Sequence, residues 1–393
     1  MEITQAPPRD ELVRRASELV PLLRDRAVWM DENRRIHDDV IDALTGAGIL
    51  KMRVPVRYGG YESDMGTVVD VLAELGRGDG STAWTVAVWQ ISTWMMGLFP
   101  DEVQDEVFTT PDIRISGILS PGAMAVPVDG GYLVNGKWSF NSGAQQSTWN
   151  TNAAVTPTGD GGFAPVMIAV PMADLQIIDD WHTSGMRGSG SVTTIAKDVF
   201  VPAERVLQMG PVLQGQHKSV LNANAAIYQA PFMPTACSTV SAPALGLALA
   251  AKDAFLERLP GRKITYTAYE NQAEAPITHL EVAAAITRID EVGFHAHRAA
   301  TMIDTKGQAG ESWTLEERAR VRLDLGAACQ RAKEAIEILD GASGGSSIYR
   351  DVPIQRILRD IQVLNLHAIL HPNTNLELYG RIVCGLDSNT AYI

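Results

Sequence analysis

Residues 130–143, GGYLVNGKWSFNSG, carry the pattern that decides the fold. Two glycines form a tight turn, and in the strand that follows, Trp138 and Phe140 are two residues apart and are expected on one face. Small polar residues, among them Asn141 and Ser142, come directly after the two rings. Such a strand can place backbone N–H groups and a hydroxyl along a flat heterocycle, and an ordinary hairpin with one apolar face has the same pattern.

Short alternating runs surround this segment and predict a β-domain. From Ile113 to about Leu207, apolar and polar residues alternate in runs separated by turn residues, which is typical of antiparallel strands. On either side, apolar residues recur at intervals of three and four, which is typical of helices. We therefore expect a mainly α protein with an N-terminal helical domain (1–112), a central antiparallel β-domain (113–212) and a C-terminal four-helix bundle (213–393).

Four long helical patterns predict the bundle. They cover Ala236–Arg258, Thr278–Thr305, Thr314–Leu339 and Gln355–Ile369. At the end of the chain's helical pattern, the spacing of Asp360, His367 and His371 places all three on one helix face.

Composition and charge exclude several classes of protein. The chain has 393 residues and a net charge of −13, and its basic residues form no stripe, so we expect no nucleic-acid partner. The first residues show no apolar signal core, and the most apolar stretch, Ala242–Ala251, is shorter than the ~20 residues of a spanning helix. We expect a cytoplasmic protein without membrane contact, in which Cys237, Cys329 and Cys384 are buried thiols.

The motif inventory is informative mainly by what it lacks. Neither a phosphate-binding loop nor a dinucleotide-binding glycine fingerprint is present, and Glu-x-x-His, the signature of di-iron bundles, is absent. His367 and His371 are spaced to hold a metal on a helix, but no third ligand is identifiable, so we expect no metal.

Several segments in a fixed order resemble the acyl-CoA dehydrogenase superfamily. They are RYGGYESD (57–64), GGYLVNGKWSFNSGAQQSTW (130–149), SGMRGSGSVTTIAKDVFVPAERVL (184–207), GRKITYTAY (261–269), GASGGSSIYRDVPIQRILRD (341–360) and LHAILHPNTNLELYGRIVCGLD (366–387). Within that superfamily the sequence resembles the oxygenase components of two-component flavin-dependent monooxygenases, such as the 4-hydroxyphenylacetate 3-hydroxylases. The resemblance implies an acyl-CoA dehydrogenase-like fold with a β-barrel-like middle domain, assembled as a homotetramer.

The same resemblance implies an activity. Reduced flavin, either FMN or FAD, would come from a separate NAD(P)H:flavin reductase and react with O2. The resulting C4a-hydroperoxide would hydroxylate a small aromatic or phenolic molecule. The cofactor would carry this chemistry, and the protein would exclude water and orient the substrate.

The branch of the superfamily is indicated by one position. Many acyl-CoA dehydrogenases carry their catalytic Glu eight residues after the Asp of an Arg-Asp pair, and the matching residue here is Ala368, which cannot act as a base. One residue earlier is His367, where the oxygenases place a histidine. An imidazole titrates near neutrality, at an unperturbed pKa of about 6.5, so His367 is expected either to take a phenolic proton or to hydrogen-bond the peroxide.

The resemblance also implies the other site residues. Ser142 would be catalytic beside the flavin N5, and His371 would stand where some relatives have a carboxylate. The residues expected to bind cofactor are Trp138, Phe140, Asn141, Ser142, Arg262, Ser343, Gly344 and Gly345. Those expected to bind substrate are Trp84, Phe232, Met233 and His371.

Three alternatives remain open on the sequence. An N-hydroxylating monooxygenase would need polar or acidic partners for an amine. An acyl-CoA dehydrogenase would need its carboxylate on another bundle helix, for which Asp253 or Glu257 is available. A catalytically silent flavin-binding scaffold would need neither.

Overall fold

The computed structural model describes residues 6–393, and the chain is helical up to Val107. The helices of this first part are α1 (Arg9–Asn33), α2 (Asp38–Gly46), α3 (Met65–Gly78), α4 (Gly80–Met96) and α5 (Asp101–Val107). Acidic caps mark two of the starts: Asp64 accepts the Thr67 N–H at 2.7 Å, and Asp79 accepts the Thr82 N–H at 2.8 Å. Helix α4 thereby begins directly behind α3, with almost every side chain buried.

An eight-stranded sheet forms the middle of the chain. Its strands are β1 (Ile115–Ile118), β2 (Ala123–Val128), β3 (Gly131–Asn141), β4 (Trp149–Pro157), β5 (Phe163–Pro171), β6 (Gln176–Ile178), β7 (Val192–Pro202) and β8 (Val206–Gln208). The order is β6-β7-β3-β2-β4-β5-β8, with β1 paired to β4. The prediction of an entirely antiparallel domain is wrong, since β4 runs parallel to β1 and β2. The intervening β2–β3 hairpin gives the chain the length that a parallel return needs.

Helices resume after β8. They are α6 (Met209–Leu213), α7 (Phe232–Ser241), α8 (Pro243–Arg258), α9 (Pro276–Ala309), α10 (Leu315–Ala342), α11 (Pro353–Asn365) and α12 (Pro372–Val383). Helix α10 packs against α8, α9 and α11, and these four form the expected bundle. A capping box at Thr314 and Glu317 fixes the start of α10.

The helix predicted over Ala236–Arg258 is two helices. Pro243 lacks the N–H needed to continue α7, so the chain begins a new helix there. By length and composition, Phe232–Arg258 is apolar enough to cross a membrane. An 18-residue stretch of it has a mean hydropathy of 1.3, but 94% of that stretch is buried inside the protein. These two helices are part of the core.

Helix α4 connects the three parts. It contacts β1 and β4 of the sheet on one side and α7, α8 and α11 on the other. Side chains from all three parts therefore meet along α4.

Candidate active site

A cavity of about 120 Å³ lies between α4, the first strands of the sheet and α7. Most of its wall is apolar, no charged side chain lines it among the residues the structure describes, and its hydroxyl and imidazole groups are few. The lining residues are Trp84, Val88, Ile91, Ser92, Met95, Gly117, Ile118, Leu119, Phe140, Ser142, Thr151, Met167, Phe232, Ala236, Val240, His367 and Ile369. An apolar wall with few polar groups is typical of a pocket for a small organic ligand.

Two expected catalytic residues and one expected substrate residue meet at one end of this cavity. The Trp84 indole N–H donates to Ser142 Oγ at 2.9 Å. The Trp84 and His367 rings are in edge contact, with centroids 5.1 Å apart. Ser142 is almost fully buried, so its hydroxyl is reached only from the cavity.

His367 lies in a turn beyond the end of α11, whose last residue is Asn365. The prediction that Asp360, His367 and His371 share one helix face is therefore wrong. The residue before a proline is disfavoured in helical conformation, and Pro372 starts α12 immediately after His371. The break turns His367 toward the cavity, whereas His371 becomes the cap residue of α12 and is absent from the cavity wall.

Burial lowers the pKa of His367 to about 4. The expectation that this imidazole titrates near neutrality is therefore wrong, since desolvation disfavours the charged ring. Its Nδ1 is buried and has no hydrogen-bond partner within residues 6–393. His367 is thus a neutral ring that lines the cavity.

Trp138 and Phe140 do not share a face. A bulge in β3 between Trp138 and Asn141, with Phe140 at a φ of 65°, reverses the alternation of side chains. Trp138 is 1% exposed, inside the β-domain, where its N–H donates to the Ala153 carbonyl at 2.7 Å. Phe140 is 67% exposed and stands edge-on to Trp181 beside the cavity. Only Phe140 is available to a ligand.

The expected cofactor residue Asn141 also points away from the cavity. Its side-chain amide donates to Thr194 Oγ1 at 2.9 Å in the interior of the sheet. Asn141 therefore ties β3 to β7 behind the bulge.

Helix α7 contributes one of the two residues expected from it. Phe232, Ala236 and Val240 line the cavity at four-residue intervals, which is one face of the helix. Met233 is one residue out of this series and is buried in the core, so its assignment to the substrate pocket is wrong.

The turn after β6 is seated against α11. A Cβ on Gly185 would lie 2.2 Å from the Arg359 carbonyl oxygen, so only glycine permits this approach. Arg359 donates to the Ser184 carbonyl, and Asp360 Oδ1 accepts the Met186 N–H at 2.6 Å. Met186 itself has a φ of 51°, which the two contacts with α11 hold in place.

Asp360 is buried next to a second buried carboxyl. Burial, and then the charge of Asp79, raise the pKa of Asp360 to about 7, although the Met186 N–H and two arginines oppose the shift. Sequence reasoning placed Asp360 beside His367, but its contact is with the Met186 turn.

Arg262 and residues 343–345 come together away from the cavity wall. Arg262 donates to the Ser343 carbonyl, and its guanidinium lies 3.6 Å from where a Cβ on Gly344 would be. Arg258 reaches Ser346 Oγ at 3.3 Å, and neither arginine has a carboxylate partner within the described chain. Two unpaired guanidiniums beside a small-residue turn suit a phosphate.

The carboxylates that an acyl-CoA dehydrogenase would require are committed elsewhere. Asp253 accepts from Arg24 at 2.9 Å and from Arg77 at 2.6 Å, and Glu257 pairs with Arg24 at 2.9 Å. Neither side chain lines the cavity.

The cysteines and the metal-ligating side chains were also subjects of sequence predictions. Cys384 is exposed, whereas Cys237 and Cys329 are buried, so the prediction of three buried thiols is wrong for Cys384, which lies just beyond the end of α12. The part of the chain that the structure describes holds no cluster of three metal-ligating side chains.

Sequence reasoning missed several residues of the site. Ser191 and Ser189 lie behind Ser142, and Ser92 and Thr151 flank Gly117 on the cavity wall. The only available signal was the alternation of Gly and Ser in residues 188–191. Isolated hydroxyls on strands and helices have no spacing that marks them as site residues.

Comparisons with known proteins agree with this geometry. Family models described as "Acyl-CoA dehydrogenase, N-terminal domain" and "Acyl-CoA dehydrogenase, C-terminal domain" match residues 11–111 and 238–372. The flavin-dependent monooxygenase oxygenase subunit HsaA of Rhodococcus jostii is 31% identical over 380 residues, covering 95% of this chain and 98% of HsaA. This chain belongs to the acyl-CoA dehydrogenase family, among the oxygenase components of flavin-dependent monooxygenases.

Two other relatives extend the comparison. The oxygenase component of the FADH2-dependent resorcinol hydroxylase of a Rhizobium species is 28% identical, over 99% of this chain and 97% of the relative. The structure of XiaF from a Streptomyces species, in complex with FADH2 and glycerol, superposes with a TM-score of 0.90 at 28% identity, covering 97% of each chain. The fold class and the family expected from the sequence are confirmed.

Proposed function

We infer that this protein is the oxygenase component of a two-component flavin-dependent monooxygenase, which uses reduced flavin and O2 to hydroxylate a small aromatic molecule. The observation that carries this inference is the apolar cavity with Ser142, Trp84 and neutral His367 at one end. Family membership supports the same activity.

The residues present fit a flavin at three places. The exposed Phe140 ring offers a face for a flat heterocycle, and Ser142 offers a hydroxyl oxygen at the cavity. Arg262, with Ser343, Gly344 and the neighbouring Gly345, suits the phosphate end of a flavin that lies across a subunit boundary, as the resemblance implies. Bound reduced flavin supplies the electrons and the activation of O2, while Trp138 and Asn141 support the strand from behind.

The cavity favours a neutral or phenolic ring. Its apolar walls exclude water, and His367, neutral at pH 7, can accept a hydrogen bond from a phenolic hydroxyl and so orient the ring. A cationic amine would require a carboxylate, and none lines the cavity within residues 6–393. Aromatic hydroxylation is therefore favoured over N-oxidation, and α-proton abstraction from an acyl-CoA lacks its base.

Reduction of the flavin is assigned to a separate NAD(P)H:flavin reductase, because the chain has no dinucleotide fingerprint. Exposed apolar residues on the C-terminal helices, such as Leu280, Phe294 and Leu376, support association between copies of this chain, for which the resemblance implies a homotetramer. The free thiols support residence in the reducing cytoplasm. Light scattering of the purified protein tests the tetramer.

One experiment tests the activity directly. Protein mixed with reduced FMN or FAD and then with O2 should give a transient near-ultraviolet absorbance band, and phenols should be converted to hydroxylated product. NADH with oxidised flavin should yield product only after a flavin reductase is added. Turnover with NADH alone, or products from amines and none from phenols, would contradict the proposed function.

A further inference from the structure

Behind Ser142 lies a row of buried hydroxyls that ends on a backbone carbonyl. Ser142 Oγ is 2.6 Å from Ser191 Oγ, Ser191 Oγ is 2.7 Å from Ser189 Oγ, and Ser189 Oγ is 2.7 Å from the Met186 carbonyl oxygen. At the other end, the Trp84 N–H donates to Ser142 Oγ at 2.9 Å. All three serines are at least 97% buried.

The ends of this row fix the direction of every hydrogen bond in it. A carbonyl can only accept, so the proton of Ser189 is used on Met186, and Ser191 must donate to Ser189. The proton of Ser142 is then the one that lies between Ser142 and Ser191. The Trp84 N–H, which can only donate, takes one lone pair of Ser142 and is compatible with this direction.

This direction decides which hydrogen bonds Ser142 can form with a ligand in the cavity. Its proton points into the protein and one lone pair is taken by Trp84, so the hydroxyl offers a ligand only its remaining lone pair. Ser142 is therefore an acceptor toward the cavity and cannot donate without breaking the row. The row itself is held from outside, since the Met186 N–H is bound by Asp360 of α11 at 2.6 Å.

A flavin presents different partners to such an acceptor in its two redox states. Reduction converts N5 from a hydrogen-bond acceptor into an N–H donor, whereas N3–H and the two carbonyls keep their character. The resemblance implies that Ser142 faces N5. An acceptor in that place is paired with reduced flavin and is opposed to a lone pair in oxidised flavin, which costs free energy.

Resting on the proposed function, we propose that Ser191 and Ser189 are positioning residues that make the site select reduced over oxidised flavin, by turning the proton of Ser142 away from the cavity. Selection of this kind allows the spent flavin to leave and a reduced one to replace it.

The test is a pair of dissociation constants, measured anaerobically for reduced FMN and FAD and separately for the oxidised forms. Ser191→Ala removes the acceptor of the Ser142 proton, which can then turn to the cavity. We expect the ratio of the oxidised to the reduced Kd to fall about tenfold, since one hydrogen bond is gained in one state and lost in the other. Ser191→Thr keeps the hydroxyl and should restore the ratio, and Ser189→Ala should lower it by less.

The chain offers a matched control. Ser147 accepts the Trp89 N–H at 3.0 Å and donates to the Gly143 carbonyl at 2.8 Å. Trp89 lies on α4, as Trp84 does, and so forms a second Trp–Ser pair, which is outside the cavity wall. Ser147→Ala should leave the ratio unchanged. An unchanged ratio in folded Ser191→Ala, or equal binding of both redox states by the wild type, overturns the proposal and leaves the monooxygenase assignment intact. A wild type that binds neither state overturns both.

Discussion

His367 and His297 are the same side chain in two contrasting environments. His297 lies on α9, partly exposed, with Nε2 2.7 Å from Asp70, and this hydrogen bond raises its pKa. His367 lies in the turn after α11 against the Trp84 ring, with no carboxylate beside it among the described residues, and burial lowers its pKa to about 4. One ring is stabilised in its charged form and the other in its neutral form.

The difference shows that a partner, more than the residue type, decides what a histidine does. His295 also has a carboxylate partner, with Nδ1 3.1 Å from the buried Asp324. An ion-paired imidazole has its hydrogen-bonding capacity committed to the fold, whereas the ring of His367 lines the cavity and its buried Nδ1 has no partner in the described part of the chain.

The largest effect is expected from removing the cavity imidazole. His367→Ala should still bind reduced flavin but lose about tenfold or more of its product formation, because it removes the neutral acceptor that orients the phenolic hydroxyl. The consumed O2 should appear as hydrogen peroxide. Product and peroxide are measured per reduced flavin oxidised, with His297→Ala as the control that should keep the wild-type yield. Normal yield in His367→Ala would show that this ring is only part of the core.

The two rings should also respond to pH with opposite signs. The pKa of His367 is about 4 in the folded protein and near 6.5 when unfolded, so the unfolded state binds the proton first as the pH falls. Its contribution to the free energy of unfolding should decrease between about pH 6.5 and pH 4. For His297 the folded pKa is raised, so its contribution is present at low pH and is lost as the pH rises through that pKa.

Urea unfolding at a series of pH values measures this difference. His367→Phe should remove the loss on the acidic side, and His297→Phe should remove the loss on the neutral side. A titration of His367 by NMR with a midpoint above pH 6 would contradict the environment described here.

A smaller effect is expected from the indole that contacts His367. Trp84→Phe keeps a ring against His367 but removes the N–H donated to Ser142, so the yield of product should fall by about fivefold, the equivalent of one neutral hydrogen bond. Trp89→Phe removes the same kind of bond, to Ser147, and should leave the yield unchanged. Equal yields in the two variants would show that the bond between Trp84 and Ser142 is only structural.

The smallest effect is expected at the ion-paired histidine. Asp70→Asn weakens the pairs of Asp70 with His297 and Arg9, all of them partly exposed, and should cost less than about 1 kcal/mol of unfolding free energy. High salt should reduce the difference from the wild type. A larger loss of unfolding free energy that salt does not reduce would show that these ion pairs are shielded from solvent.

The sequence by itself determined the class of the fold and the family. Apolar periodicity separated helical from extended segments, and the order of the quoted motifs carried the family, because both are properties of neighbours along the chain. Trp84, Ser142, Phe140, Phe232 and His367 were expected at the site and all line the cavity, whereas their roles stay predictions. The division into domains at residues 112 and 212 stays a prediction.

Tertiary structure alone decided which of the neighbouring side chains reach the site. The bulge in β3 separates Phe140 from Trp138, and the break before Pro372 separates His367 from His371, although each pair has regular spacing in the sequence. The pKa of His367 depends on burial, and the direction of the serine row depends on groups that are far apart in the chain, such as Ser142 and Met186. Spacing encodes the regular element, and desolvation and hydrogen-bond partners are set only when distant segments pack together.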